Sequence, residues 1–212
     1  KHYNVDIVVT KESGIAGGFL EKVNACETLQ IPVVIITREK INYPLVVNEI
    51  DELEKLYDSL NDYLEQNINY PGWRKGLYPV RENAANGIKN ENLYIIEINE
   101  QIAGTVILSH EPEKAYNKAL WKTENNYENI IVIRTFAVHP KFMKNNAGFS
   151  LMKFAEKFGK ENGMKSIRLD VAIQNTPAIS LYEKLGYEYI DTVDLDLNIS
   201  WLKWFKLYEL LL

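Results

Sequence analysis

The chain has 212 residues, a formal net charge of −5 and an apolar fraction of 46%. This length allows one large domain, or one domain with a fragment, and the composition is sufficient for a sizeable core. A mildly acidic chain is not expected to bind nucleic acid, because phosphate binding normally requires a basic surface, but it suits a cationic substrate. No apolar run approaches the ~20 residues that span a bilayer, so no membrane partner is expected.

Cysteine usage and the first residues bear on localisation. The one cysteine, Cys26, excludes an intramolecular disulfide and is typical of a protein in the reducing cytoplasm. Asp6 interrupts the short apolar run of residues 5–9, so this terminus does not have the pattern of a signal peptide. The lack of an initiating Met before Lys1 indicates a processed or truncated start. Cys and His residues show no metal-ligand spacing, and we predict no metal.

Residues 1–50 have the pattern of one βαβ unit. Short apolar runs rich in β-branched residues predict buried strands at 5–10 and 33–37. Between them, residues 19–29 place apolar side chains on one helical face. We interpret the glycine-rich segment 11–18 as a tight strand-to-helix connection rather than an anion site.

This first part resembles the C-terminal end of precorrin-6A reductases of corrinoid biosynthesis. The matching residues are Val8–Gly14, Gly17-Gly18, Glu21-Lys22 and Ile31–Val34. The resemblance covers about the last quarter of such an enzyme and does not include its nucleotide-binding half. A lone βαβ unit cannot bury both faces of its sheet. We therefore expect residues 1–48 to be a fused remnant without reductase activity, packed on its neighbour or on another copy.

Residues 49–212 carry alternating helix and strand patterns. Helices are predicted at 49–66, 81–90 and 149–162, and strands at 93–98, 102–108, 130–138, 166–171, 187–195 and 202–211. Thr176, as N-cap before Pro177 at the first helical position, begins a further helix that Gly186 ends. The last two strands are expected to form an antiparallel pair at the sheet edge. The final strand is so apolar that something should cover it.

The most informative run is residues 130–189, which alternates strand, polar loop, helix, strand and helix. A strand that leads into a loop at a helix N-terminus offers free backbone N–H groups to a phosphate. The run resembles the GNAT superfamily of acetyl-CoA-dependent N-acetyltransferases in Arg134–Pro140, Leu151–Glu156, Ile167–Val171 and Asn175–Tyr187. The resemblance implies an α/β (α+β) GNAT-like fold over residues 49–212, with a central mixed sheet flanked by helices.

The resemblance also implies where the cosubstrate acetyl-CoA binds. The implied positions are Phe136, Ala137, Val138, Lys144, Asn145, Asn146, Ala147, Gly148, Phe149, Asn175 and Tyr182. The pyrophosphate loop departs from the family pattern, because only Gly148 fits it cleanly and Met143 replaces a polar residue. Asn146 stands where glycine is usual, and asparagine is the residue that best tolerates a left-handed backbone after glycine. Lys144 could place a point charge on a phosphate.

For the chemistry, the resemblance implies direct attack of a primary amine on the thioester in a ternary complex. A backbone N–H in residues 136–138 would stabilise the oxyanion, and Tyr182 would protonate the departing thiolate. Asn175 would hold the pantetheine or order local water. The general base stays open among Glu97, Glu111, Asp170 and a water chain. His110 and His139 are interpreted as loop residues.

These inferences leave alternatives open. The acceptor is a small amine or a peptide amine, in a pocket shaped by residues 70–78 and 111–129. The alternative is a non-catalytic acyl-CoA-binding or interaction module, and a weaker one is the remnant of a corrinoid-biosynthesis reductase. We expect residues 43–47 to supply the first strand of the GNAT-like sheet. The orphan βαβ unit and the apolar last strand are consistent with a homodimer.

Overall fold

The computed structural model describes residues 7–11, 19–36 and 50–212. The chain divides into two compact units, Lys1–Tyr43 and Pro44–Leu212. The strand expected at residues 43–47 lies outside the described residues.

The first unit contains the βαβ arrangement that the sequence predicts. Strands β1 (Val8–Lys11) and β2 (Val33–Ile36) pair in parallel, and helix α1 (Phe19–Leu29) connects them. Cys26 is the buried residue of α1 among those whose side chains are described.

The second unit is an α/β structure built on one mixed sheet. Its helices are α2 (Ile50–Gln66), α3 (Arg81–Lys89), α4 (Ala147–Glu161) and α5 (Thr176–Lys184). Its strands are β3 (Leu93–Ile98), β4 (Gln101–Ser109), β5 (Ile130–Val138), β6 (Ser166–Ala172), β7 (Glu188–Asp194) and β8 (Trp204–Leu211). The strand order is β3-β4-β5-β6-β8-β7, and only β5 and β6 pair in parallel. The predicted mixed sheet flanked by helices is confirmed.

The position of the last strand corrects the prediction. β7 and β8 do pair antiparallel, but β8 also pairs with β6 along its whole length. β7 is therefore the edge strand and β8 is internal. The physical reason is burial, because Leu207 and Tyr208 of β8 are almost inaccessible whereas Glu188 and Tyr189 of β7 are exposed.

Alternate residues of the strands face two hydrophobic cores on opposite sides of the sheet. In β4, Val106 packs in a cluster with Leu151 and Met152 of α4. Its neighbour Ile107 packs in a second cluster with Leu53, Leu56, Tyr57, Leu60 and Leu64 of α2. The spacing of these five α2 residues is the helical periodicity that predicted the helix.

The parallel pair β5 and β6 separates part of the way along its length. Pairing runs only from Ile130–Val132 to Ser166–Arg168. On its other side, β5 shifts register against β4, so that Thr135 and Phe136 lie opposite the single residue Val106. This is a β-bulge, and Thr135 within it has a φ of 41°. The divergence opens the middle of the sheet.

The segment between β4 and β5 is irregular, with short 3₁₀ turns at Lys114–Lys118 and Tyr127–Asn129. It is attached to the sheet by Arg168 of β6, which is completely buried and pairs with Glu209 of β8 at 2.9 Å. The guanidinium also donates to Asn125 Oδ1, to the Tyr127 hydroxyl and to the Thr123 carbonyl. Across residues 7–11, 19–36 and 50–212, no helix combines the length and apolar character that crossing a membrane requires.

Candidate active site

A cavity of about 990 Å³ opens where β5 and β6 separate. One part of its wall comes from the ends of these strands, the loop before α4 and the start of α5. The other part comes from the second half of α2, the loop that follows it and the loop before β8. The cavity thus joins the predicted cosubstrate positions to the segment predicted to shape the acceptor pocket.

The loop before α4 is shaped to receive an anion. Lys144 and Asn146 have φ values of 70° and 60°, so the predicted left-handed backbone at Asn146 is confirmed. Asn146 is the N-cap of α4, and its side chain makes no capping hydrogen bond. The first backbone bond of the turn runs from Ser150 N–H to the Asn146 carbonyl at 2.9 Å. The preceding N–H groups therefore have no partner within the helix.

The same loop leaves room for a phosphate group. The side of the cavity here is formed by Lys144, Asn146, Ala147, Gly148 and Phe149. A Cβ at Gly148 would lie 3.1 Å from Phe136 Cζ, so glycine keeps this approach open. Uncapped N–H groups at a helix N-terminus bind phosphate, which makes this loop fit a pyrophosphate.

Asn145 does not have the predicted position. It is absent from the cavity wall, and its backbone N–H donates to the Phe142 carbonyl at 3.1 Å. Asn145 therefore supports the turn, whereas its neighbours face the cavity.

The start of α5 corrects a second expectation. The N-cap is Asn175 rather than Thr176, because the Asn175 side chain accepts a hydrogen bond from Ala178 N–H at 3.4 Å. Thr176 is thus the first helical residue and Pro177 the second. Asn175 also lines the cavity, as predicted for a residue that contacts the cosubstrate.

Tyr182 projects from α5 into the cavity wall and is only 5% exposed. Its ring packs against those of Phe136, Tyr187 and Tyr208, with centroids 6.2, 5.8 and 6.4 Å away. Burial, and then the charge of Asp170, raise the pKa of Tyr182 well above its usual value. The phenol therefore stays protonated at working pH and can only donate its proton.

Asp170 lies on β6 and also lines the cavity. It accepts a hydrogen bond from the Tyr116 hydroxyl at 2.7 Å. Burial raises the pKa of Asp170, while the nearby charge of Arg134 opposes that rise. Arg134 itself pairs with Glu113 and donates to the Glu111 carbonyl at 2.9 Å. A carboxylate with a raised pKa, close to Tyr182, is suited to accept a proton.

The other proposed bases do not share this position. Glu97 is exposed on the edge strand β3 and does not line the cavity, so the structure gives no support to its catalytic assignment. Glu111 is exposed and contributes its backbone carbonyl to Arg134 rather than its carboxylate to the cavity. His110 and His139 make local contacts to loop backbone, at Ile130 O and Lys141 N.

Sequence reasoning missed two hydroxyls at this site. Tyr116 lies in the irregular segment and orients Asp170. Tyr78 ends the aromatic loop after α2, and its hydroxyl lies 2.8 Å from Thr135 Oγ1 at the bulge. Neither tyrosine belongs to a periodic pattern, so no local signal marked it. The abundance of aromatic residues around Tyr78 was the only indication.

Comparison with known proteins follows the division of the chain. The model of the acetyltransferase (GNAT) family matches residues 53–187, and that of precorrin-6x reductase (CbiJ/CobK) matches residues 1–60. The cobalt-precorrin-6A reductase of Methanocaldococcus jannaschii is 42% identical over 60 residues, which are 28% of this chain and 24% of that protein. The chain therefore spans about a quarter of the length of this curated relative.

The larger unit has relatives of its own. An uncharacterized N-acetyltransferase of Methanocaldococcus jannaschii is 24% identical over 156 residues, covering 70% of this chain and 63% of that protein. An acetyltransferase from Salmonella typhimurium, solved with its cofactor acetyl-CoA, superposes with a TM-score of 0.56. Its identity is 12%, over 77% of this chain and 90% of that one, so this likeness concerns the fold.

Together these findings define an acyltransferase fold joined to a short reductase-like segment. The chain belongs to the acetyltransferase (GNAT) family. Both resemblances that the sequence predicted are confirmed.

Proposed function

We propose that the protein is an acetyl-CoA-dependent N-acetyltransferase that moves an acetyl group to a primary amine by direct attack. The observation that carries this proposal is the single cavity running from the uncapped start of α4 to Asp170. A cosubstrate with its pyrophosphate on α4 can extend between the separated strands and present its thioester near Asp170. Family membership supports acetyl-CoA as that cosubstrate.

In this mechanism, loop and helix N–H groups at residues 146–149 hold the pyrophosphate. A backbone N–H of Phe136, Ala137 or Val138 faces the position where negative charge develops on the carbonyl oxygen. These donors stand beyond Val132, where β5 no longer pairs with β6. The gap between the strands thus gives an extended ligand access to the middle of the sheet.

The proton transfers use two groups on the cavity wall. The amine nitrogen bonds to the carbonyl carbon as its proton passes to Asp170. The carbon–sulfur bond then breaks, and Tyr182 gives its proton to the departing thiolate. The products are an amide and the free thiol, and solvent restores the two side chains. Asn175, at the start of α5, contacts the pantetheine in this arrangement.

The proposal is tested by acetyl-CoA turnover, measured as free thiol release with a panel of amines. Tyr182→Phe should lower kcat by roughly 10²-fold or more, the range typical of general acid catalysis. Tyr187→Phe is the matched control, because Tyr187 is a buried neighbour in the same aromatic cluster but does not line the cavity. Equal effects of both variants would contradict a role for Tyr182 in proton transfer.

A rise in melting temperature with acetyl-CoA tests cosubstrate binding separately. Such a rise without turnover of any amine would favour the non-catalytic acyl-CoA-binding module instead. Lack of a rise at millimolar acetyl-CoA would contradict both readings.

We further infer that residues 49–212 form the transferase domain and that residues 1–48 are a fused remnant of a reductase. The reductase-like match covers only 28% of this chain, which supports a remnant rather than a working reductase. The expected homodimer and the cytoplasmic location stay predictions.

A further inference from the structure

The part of the cavity away from the phosphate loop is strongly apolar. We call it the acceptor chamber, meaning the walls from α2, from residues 68–78 and from residues 195–205. These walls include Leu60, Leu64, Trp73, Leu197, Ile199 and Leu202. An amine that enters here places its body against aliphatic and aromatic side chains, so apolar substituents would gain from burial.

Charged groups are few in the cavity wall. Among the described residues, the charged side chains that line it are Arg74, Glu113, Arg134, Lys144 and Asp170. Lys144 belongs to the phosphate loop, and Glu113 and Arg134 form an ion pair with one another. Within the described lining, Asp170 is thus the carboxylate outside an ion pair, with the Tyr116 hydroxyl as its hydrogen-bond partner. The chamber has one place for one ammonium group.

A second positive charge would meet an unfavourable surface. The guanidinium carbon of Arg74 lies 3.4 Å from the ring centroid of Trp201, which holds this cation at the chamber wall. A distal ammonium would therefore face either Arg74 or apolar side chains. Burial of a charge without a partner is strongly unfavourable, so polyamines and aminoglycosides are disfavoured.

We infer that the acceptor is a primary amine with a single positive charge and an apolar or aromatic body. This inference rests on the proposed acetyl transfer and names the substrate class of the same site. The ammonium is received at Asp170, and the body of the substrate occupies the space between Trp73 and the loop before β8. Selectivity then comes from the lack of a second acidic group as much as from the apolar contacts.

The test compares amines that differ only in the second charge. Octylamine and 1,8-diaminooctane form one matched pair, and 2-phenylethylamine and spermidine extend the comparison to an aromatic and to a polycationic amine. The kcat/KM for each is measured by thiol release at saturating acetyl-CoA. We expect octylamine to exceed 1,8-diaminooctane by at least tenfold, and 2-phenylethylamine to exceed spermidine by a similar factor.

The outcomes separate the two proposals. A diamine or spermidine that equals or exceeds the monoamines would overturn the substrate class but leave acetyl transfer standing. Failure of every amine to exceed background hydrolysis would overturn the proposed function, and the substrate class with it.

A variant of the chamber wall provides an independent test. Arg74→Gln removes the cation and should narrow the ratio of octylamine to 1,8-diaminooctane by at least threefold. Lys75→Gln is the matched control, because it removes the same charge from the adjacent residue, which pairs with Asp62 and does not line the cavity. A ratio unchanged by Arg74→Gln, or changed equally by Lys75→Gln, would contradict the role of Arg74.

Discussion

The hydroxyl of Tyr78 lies 2.8 Å from Oγ1 of Thr135, and Thr135 has a φ of 41°. A β-branched residue with positive φ is strained, at a typical cost of about 1–3 kcal/mol. The hydrogen bond joins the loop after α2 to the bulge immediately before Phe136. Tyr78 is therefore placed to fix the direction of the backbone N–H groups proposed to face the oxyanion.

Removal of this hydrogen bond should affect the rate more than binding. We expect Tyr78→Phe to lower kcat about fivefold, the equivalent of about 1 kcal/mol for one hydrogen bond, with the KM for acetyl-CoA within twofold. Steady-state kinetics measure both. Tyr189→Phe is the control, since it removes an exposed Tyr–Thr hydrogen bond of 2.9 Å on β7. A change in KM alone would contradict the positioning role.

Substitution of Asp170 should alter the pH dependence of catalysis. Burial raises the pKa of Asp170, so the acid limb of kcat/KM should lie above the ordinary range of a carboxyl group. Asp170→Asn should lower kcat/KM by roughly 10²-fold or more and remove that limb. The pH–rate profile at saturating acetyl-CoA measures this. Glu97→Gln, on the edge strand, should leave the profile unchanged, and the reverse pattern would contradict the assignment.

The same substitution should not reduce stability at neutral pH. A carboxyl group whose pKa is raised by folding binds more protons in the folded state, so its contribution falls as pH rises above its unfolded pKa. Asn cannot ionise and can still accept the Tyr116 hydrogen bond. Urea unfolding of Asp170→Asn at pH 7 should give a free energy no lower than wild type, and a large loss would show a structural role.

Asn146 tests the pyrophosphate loop. Its φ of 60° suits glycine and asparagine but not a β-branched residue. We expect Asn146→Gly to keep the KM for acetyl-CoA, whereas Asn146→Val should raise it and lower stability by about 1–2 kcal/mol. Asn145→Val is the control, because Asn145 has no positive φ and does not line the cavity. An equal effect at both positions would contradict the loop assignment.

The buried pair of Arg168 and Glu209 should matter for stability. Burial alone would raise the pKa of Glu209, but hydrogen bonds from Thr123, Arg168, Lys122 N–H and Ser166 lower it overall. Glu209→Gln leaves the buried guanidinium without its counterion, so we expect a loss of about 3–5 kcal/mol at pH 7 by urea unfolding.

The pH dependence of this loss has a definite sign. A depressed pKa stabilises the fold above the unfolded pKa of a glutamate, and this contribution disappears as pH falls through the folded pKa. The difference between Glu209→Gln and wild type should therefore shrink in acid. Glu188→Gln removes an exposed ion pair with Lys122 on the neighbouring strand and should cost at most about 1 kcal/mol.

Local signals account for the parts of the structure that the sequence predicted. The apolar spacing of α2 and the conformational preference of Asn146 are properties of a few neighbouring residues, and both predictions were correct. The bonds that assemble the site are different, because Tyr116 and Asp170 are 54 positions apart and Tyr78 and Thr135 are 57 apart. No spacing rule connects residues at such distances.

The strand order has a similar explanation. The sequence gave β8 its type, since residues 204–211 are apolar, but pairing with β6 depends on the arrangement of the whole sheet. The N-cap of α5 shows a smaller limit. Asn175 and Thr176 are both good N-cap residues, so composition could not decide between neighbours, and the side-chain hydrogen bond to Ala178 does.

The separation of β5 and β6 has one more consequence. Beyond Val132 and Arg168, the facing edges of the two strands have no strand beside them. A bound extended molecule with its own amide groups would act there as a temporary additional strand and complete the hydrogen bonding of the sheet interior. The molecule that delivers the acetyl group would then also be a structural component, and amide hydrogen exchange along residues 134–138 should slow when it binds and recover when it leaves.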